Sequence, residues 1–426
     1  MRLPYAEVRF TSKGALAEPS DVDAARALLA EHAATDVLVM CHGWNNTPGD
    51  ALHLYERLVA SMLSVRGRVP GSRRRQLTVI GIIWPSIQWA PDENDGAGAG
   101  ATTPEDLLRA EIEMKVSSAT ARRRLLALVP RLDTDPDAAA AFIEVLRTTL
   151  PRSSKGEDAA AFQVLRSAPP TEVLAAVQGG AGLGGAPEAV GGAAEINPFG
   201  LPALPDAGGG TGVFSSLVGA ARNALNIATY YTMKERAGVV GTKGIAPLLA
   251  TLHAARPEAR LHLVGHSFGG RAVTAAVNAA RGRTAPVASL SLLQAAYSHY
   301  GMARNWDGNG TDGLFAAVPG KVSGPILVTF TRNDTAVGIA YAIASRLARQ
   351  VGAALGDAND PYGGIGRNGA LKTPASLPFG TLLPVGGQYG FAAGRVSSLN
   401  ADAFISGHAD VTGPQVAYAI LTALEA

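Results

Sequence analysis

The chain has 426 residues, 47% of them hydrophobic, enough to bury a sizeable core in one large α/β domain or two smaller ones. Its 37 Lys and Arg against 35 Asp and Glu leave a formal charge of +2, which excludes the strongly basic surface of a general nucleic-acid binder. Cys41 is the single cysteine, so an intramolecular disulfide and a cysteine-based metal cage are excluded, in keeping with a reducing compartment.

The opening "MRLPYAEVRFTSKG" lacks the apolar centre of a signal peptide, and no uncharged apolar stretch is long enough to span a bilayer. A cytoplasmic protein is therefore expected, with signal-independent export left open. Short runs rich in Val, Ile and Leu then recur in chain order. They are "DVLVMCHG" (36–43), "LTVIGIIWP" (77–85), "RLHLVGHS" (260–267), "ASLSLLQAAYS" (288–298) and "PILVTFTRND" (325–334), with a weaker "GRVSSLNADAF" (394–404). Helical spacing of apolar residues marks 49–63, 241–255, 270–280, 337–351 and the closing "GPQVAYAILTALEA". Strands alternating with helices predict an α/β fold, a mostly parallel central sheet with helices on both faces.

That alternation breaks between the second and third strands. Residues 90–225 hold a Gly, Ala and Asp linker, Ala- and Leu-rich helical stretches, and a Gly/Pro/Ala segment at 179–212 that buries too little apolar surface to offset its chain entropy. The expected organisation is a core domain of 1–89 and 226–426 with an inserted helical cap at 90–225, its glycine-rich joints partly disordered. The amphipathic stretch 214–238 reads as a helix returning to the core, with a lipid surface as its alternative partner. The basic run Arg73-Arg74-Arg75 has no interleaved aromatics and reads as a solvated edge.

Chemistry concentrates in "HLVGHSFGGRAV" (262–273), a G-x-S-x-G pattern between a strand and a helix. In that setting the turn strains the serine backbone and pushes its hydroxyl out, so Ser267 is the candidate nucleophile and Gly265, Gly269 and Gly270 the small neighbours it needs. A serine hydroxyl requires a base, and the base an acid. His299 and His408 are the histidines after Ser267; His408, in the loop "FISGHADVTGP" beyond the last strand, is the expected base. Asp334, at the end of "LVTFTRND", is the preferred acid, with Asp307, Asp312 and Asp402 as rivals and a helix N-cap as its other reading. For the oxyanion the candidates are the amides of Phe268, just after the nucleophile, and Trp44 in "CHGWNN", with Gly43 letting the backbone turn. His42 reads as a brace for that turn rather than a second base.

"HGWNN", "IIWPS", "LVGHSFGGR", "FTRNDTAVG" and "SGHADV", in that order, resemble the α/β-hydrolase superfamily, in particular a bacterial branch of unassigned function with an HGYN-type oxyanion turn. The resemblance covers roughly 36–89 and 226–426. It implies an α/β-hydrolase fold with an eight-stranded type of sheet, the triad Ser267, Asp334 and His408, and no cofactor. Trp44 stands where the branch usually has Tyr, Phe268 where Met is common, and the insertion has no counterpart.

All four tryptophans, Trp44, Trp84, Trp89 and Trp306, follow expected strand ends, the edge that carries ligands in open parallel sheets. Trp84, Trp89 and Trp306 are thus candidates for an aromatic pocket wall around an apolar acyl or aryl group. "GNGTDG" and "GIGRNG" match G-x-G-x-x-G but follow no strand, which argues against a dinucleotide site. "WDGNGTDG" lacks the trailing glutamate of an EF-hand, and no histidine pair suits zinc. The resulting expectation is a serine carboxylesterase or lipase with no metal. Thioesterase, amidase and peptidase would use the same machinery. A membrane-acting phospholipase or exported lipase effector, and a non-catalytic binding protein on a hydrolase scaffold, are the alternatives.

Overall fold

Strands buried on both faces need a continuous apolar sequence, and the expected runs have it. In a computed structural model, which describes residues 1–86, 103–157, 159–178, 217–280, 287–335 and 363–426, they become one eight-stranded sheet whose paired strands are all parallel. The strands are β1 (Tyr5–Arg9), β2 (Asp36–Cys41), β3 (Leu77–Ile83), β4 (Arg260–His266), β5 (Val287–Leu293), β6 (Ile326–Phe330), β7 (Gly380–Thr381) and β8 (Val396–Asn400). Their order across the sheet is β1-β3-β2-β4-β5-β6-β8-β7. The two edge strands are additions to the sequence reading: β1 alternates only weakly and β7 is two residues long, so neither carries an apolar run of its own.

Contacts divide the described chain into two units, one of 1–86, 234–335 and 363–426 and one of 103–178 and 217–233. In the first, α2 (Pro48–Val65) and the C-terminal helix Pro414–Glu425 pack together on one face of the sheet, sealing Leu38, Met40, Val79, Val264 and Leu327. Helices α1 (Ser20–Glu31), α9 (Ala246–Ala255) and α10 (Phe268–Ala279) pack with one another and with the strands. The second unit is helical: α3 (Pro104–Lys115), α4 (Ala119–Leu128), α5 (Pro136–Arg147), α6 (Ala159–Ser167), α7 (Pro170–Gln178) and the first part of α8 (Leu217–Val239). Local chemistry starts these helices. Thr103, Ser118 and Asp135 accept from amides of the first turn, and Pro104 and Pro136 stand just inside it. Its core is Leu108, Ile112, Leu125, Phe142 and Phe162, with the Phe162 ring edge-on to Tyr231 at 5.0 Å. The expected helix at 337–351, the glycine-rich segment 179–212 and Trp89 lie outside the described residues. Among the described residues no helix is long and apolar enough to cross a membrane.

The stretch expected as one helix at 241–255 is instead split. A π-turn, Val240–Ile245, joins α8 to α9. Pro247 has no N–H to give and its ring crowds the carbonyl four residues back, so the wider turn lets the helix continue past it. Gly241 in that turn lies so close to α10 that an added Cβ would sit 2.2 Å from the Ala272 oxygen.

At the starting edge of the sheet, Asp36 is fully buried. It accepts from Arg260 Nε at 2.7 Å, His262 Nε2 at 3.0 Å and Thr35 Oγ1 at 2.7 Å, while His262 Nδ1 meets Ser289 Oγ at 2.8 Å. Arg75 stands 3.9 Å away and itself holds Glu425 of the C-terminal helix. Burial disfavours the Asp36 anion, but the hydrogen bonds from His262 and Thr35 and the Arg260 charge outweigh it and hold the carboxyl down at about 2. A carboxylate depressed in the folded state stabilises above its unfolded value and loses that contribution as pH falls through the folded one. Thermal unfolding should therefore show the protein losing on the order of 2 kcal/mol from this group between pH 5 and pH 1. Asp36→Asn should be less stable at pH 7 and lack that component of the acid dependence; equal acid slopes in the two proteins would refute the assignment.

Candidate active site

In a parallel sheet all strands end on one edge, and here register aligns the ends: Cys41 pairs with Gly265 and Ile82, His266 with Leu293, and Phe330 with Asn400. The loops leaving β2, β4, β6 and β8 carry Gly43 and Trp44, Ser267, Asp334 and His408 respectively. They all belong to the first unit.

Ser267 lies between β4 and α10 with φ 55° and ψ −126°, a conformation L-residues rarely adopt. Such strain costs on the order of 1–3 kcal/mol and persists only where neighbours enforce it. Here the Ser267 N–H donates to the Leu293 oxygen at 3.1 Å, and the Ser267 oxygen accepts from Gly270 and Ala296 at 3.0 Å each. Glycine makes the turn possible. A Cβ on Gly265 would lie 2.6 Å from the Gly269 oxygen, one on Gly269 2.1 Å from the Cys41 oxygen, and one on Gly270 2.6 Å from Ala295 Cβ.

The close approach of Gly269 to the Cys41 and His42 oxygens brings the β2 turn against the nucleophile turn. A Cβ on Gly43 would meet Ser267 Cβ at 2.7 Å and would stand 3.3 Å from Ser267 Oγ. The rings of Trp44 and Phe268, whose amides are the oxyanion candidates, are 6.2 Å apart. Phe268 is also the first residue of α10, at the positive end of the helix dipole.

Bracing of the "HGWNN" turn is extensive. His42 is fully buried, accepting from the Trp84 amide through Nε2 at 3.3 Å and donating from Nδ1 to the Gly43 oxygen at 2.9 Å. Burial pushes its pKa down to about 4, so a neutral ring makes these bonds. Its own amide donates to Tyr55 Oη, which donates in turn to the Ile82 oxygen. Trp84 stacks on His42 with ring centroids 5.6 Å apart and donates from Nε1 to the His42 oxygen at 2.9 Å, so its side chain serves the turn. Ser86 is a partner that sequence reading passed over, though "WPS" marked the segment. Its hydroxyl accepts from the Asn46 amide at 3.1 Å and donates to the Asn46 oxygen at 2.8 Å, and its carbonyl accepts from Asn45. Asn45, with φ 60°, makes the reversal.

Asp334 is fully buried and accepts from His408 Nδ1 at 2.8 Å. The His408 ring packs on His266, the residue before Ser267, at 4.9 Å, and the His408 oxygen accepts from His266 Nε2 at 2.8 Å. Thus Asp334, His408 and His266, the residue before Ser267, are brought together. The rival aspartates have other engagements. Asp402 accepts from Thr331 Oγ1 and the Arg332 amide, fastening the loop that presents Asp334 to the end of β8. Asn333, another residue without a sequence signal, donates to the Asp402 and Ile405 oxygens across the same gap. Asp307 gathers Asn309 and Thr311 into a turn, and Asp312 pairs with Arg304 and the Asn305 amide. His299 is buried, its Nδ1 accepting from Asn368 Nδ2 at 3.0 Å. Trp306 stacks on Tyr300 at 5.5 Å, in the loop that holds Asp307 and Asp312.

Compared with family models, curated proteins and solved structures, the chain matches none of them.

Gly269 offers a direct check on the packing that defines it. Gly269→Ala drives a methyl into two backbone oxygens and should lower stability by about 3 kcal/mol, the upper range for an overpacked core. Gly320→Ala, where nothing lies within 4 Å, should leave the unfolding midpoint unchanged. Similar midpoints for the two variants would contradict the close approach of the two turns.

Proposed function

We propose that the protein is a serine hydrolase of the α/β-hydrolase fold that cleaves carboxylic esters through an acyl-enzyme. The observation that carries this reading is the His408–Asp334 hydrogen bond formed at the same sheet edge as the strained Ser267. A carboxylate on Nδ1 fixes the tautomer that leaves Nε2 as the base and stabilises the imidazolium that forms. Ser267 Oγ then adds to the ester carbonyl while its proton passes to His408. Collapse of the tetrahedral adduct expels the alcohol, which takes that proton, and a water deprotonated by the same histidine releases the acid.

Negative charge on the carbonyl oxygen needs donors already in place, and the amides of Phe268 and Trp44 are the proposed pair. Two features support them: the bracing of "HGWNN" by His42, Trp84 and Ser86, and the place of Phe268 at the head of α10. A rigid donor pays no reorganisation during the reaction. An apolar acyl or aryl ester is the proposed substrate class.

Fluorophosphonate labelling and hydrolysis of p-nitrophenyl esters test this. Wild type should be labelled and Ser267→Ala should not, with kcat reduced on the order of 10⁶-fold; Asp334→Asn should lose roughly 10⁴-fold. Labelling that persists in Ser267→Ala would overturn the mechanism.

A further inference from the structure

His266 bonds neither Ser267 nor Asp334 through its ring, yet as the last residue of β4 it faces the loop that carries His408. Its Nε2 donates to the His408 main-chain oxygen at 2.8 Å, and the two rings lie 4.9 Å apart, tilted by 42°. Donation through Nε2 leaves the lone pair on Nδ1, which is buried and has no hydrogen-bond partner among the described residues. The Gly43 backbone closes over that nitrogen, since a Cβ there would be 3.3 Å from it. The ring is thus clamped in one tautomer and one orientation.

The loop around His408 is otherwise tied to itself and, through Asn333 Nδ2 on the Ile405 oxygen, to the loop of Asp334. Ser406 N and Oγ donate to Asp410 Oδ2, Asp410 N donates to the Gly407 oxygen, and Val411 N to the Ala409 oxygen. Ser61 of α2 holds the Thr412 oxygen at 2.6 Å, at the far end of the loop. The bond from His266 joins the peptide of His408 to the last residue of β4, next to Ser267. We infer that His266 is a positioning residue for the reaction: its Nε2–H fixes the main chain of His408 relative to Ser267, while Asp334 fixes the ring. This inference rests on the hydrolase reading for its kinetic meaning, though not for the contact itself.

A neutral donor suits the task. Burial first, and then the neighbouring His408, push the His266 pKa down to about 3, so the ring stays uncharged at working pH. A cation there would oppose the imidazolium that His408 must become. A lysine or arginine making the same bond would hold the loop and penalise the chemistry.

Two variants of the full chain separate the donated bond from mere packing. His266→Leu fills the space without a donor, and His266→Gln keeps an N–H that reaches the same oxygen. His266→Leu should keep KM and lower kcat about 10- to 100-fold, the scale expected for a base displaced by a fraction of an ångström to one ångström. It should also shift or broaden the downfield proton resonance of His408 Nδ1–H, assigned by its disappearance in His408→Ala. His266→Gln should recover most of kcat and return the resonance to its wild-type position. The inference is overturned if His266→Leu retains wild-type kcat and resonance, or if His266→Gln is as impaired as His266→Leu. If His266→Leu does not fold, the resonance in His266→Gln decides: unmoved it supports the role, displaced it refutes it. A wild type that neither hydrolyses esters nor takes the label, but whose resonance still responds to His266→Leu, would remove the hydrolase reading and leave the positioning contact standing.

Discussion

The backbone of Ser267 is the constraint on which the rest of the site depends, because a chain that leaves a strand and enters a helix within one residue has almost no room. The left-handed φ of Ser267 is held by main-chain bonds to β5 and α10, and the turn closes only because Gly265, Gly269 and Gly270 carry no side chains. The same closeness sets Gly269 against the carbonyls that end β2. The turn that holds Gly43 and Trp44 therefore lies beside Ser267 as a consequence of the packing that shapes the Ser267 turn. Gly43 completes it, since any side chain there would occupy the space around Ser267 Oγ.

Histidines in this protein divide by what they face. His42, His262, His266 and His299 are buried and held in the neutral form; His42 and His262 use both ring nitrogens in hydrogen bonds, while His266 fastens through Nε2 and His299 through Nδ1. Asp36, His262 and Ser289 form a hydrogen-bonded acid–imidazole–hydroxyl chain at the starting edge of the sheet, with contacts of 3.0 and 2.8 Å against 2.8 Å for Asp334 and His408 at the finishing edge. Only the second network lies at a strained turn and at the edge where loops can admit a ligand. What distinguishes the two edges is the backbone: Ser267 is held at φ 55°, whereas Ser289 lies within the regular strand β5. Asp36 instead binds three strands and, through Arg75 and Glu425, the last helix.

Much of the core was legible from composition alone. β2, β3, β4, β5, β6 and β8 were all anticipated from apolar runs, since strands covered on both faces must be apolar throughout. The strained strand-to-helix turn at Ser267 was legible because glycine at fixed offsets has a mechanical reason, and the loop place of His408 because a lone histidine follows the last strand. The fasteners were not: Ser86, Asn333 and Asp402 are polar loop residues whose partners are 40, 69 and 71 positions away, a separation that leaves no local pattern. Edge strands β1 and β7 were missed for the complementary reason, that half-covered or two-residue strands need no continuous apolar run. The π-turn before α9 was hidden because a proline inside helical spacing reads either as a break or as nothing.

By itself the sequence determined the α/β alternation, the parallel arrangement it requires, the tight turn at Ser267 and the residue types available around it, because periodicity and glycine sterics act over a few neighbouring residues. Choosing among aspartates was beyond it. Asp307, Asp312, Asp334 and Asp402 are chemically equivalent on paper, and each satisfies a local turn or helix start. Only the tertiary structure brought Asp334 within 2.8 Å of His408 and gave Asp402 the work of clamping its loop. The physical reason is that a carboxylate takes its role from the donors around it, and those donors arrive from strands far apart in the chain.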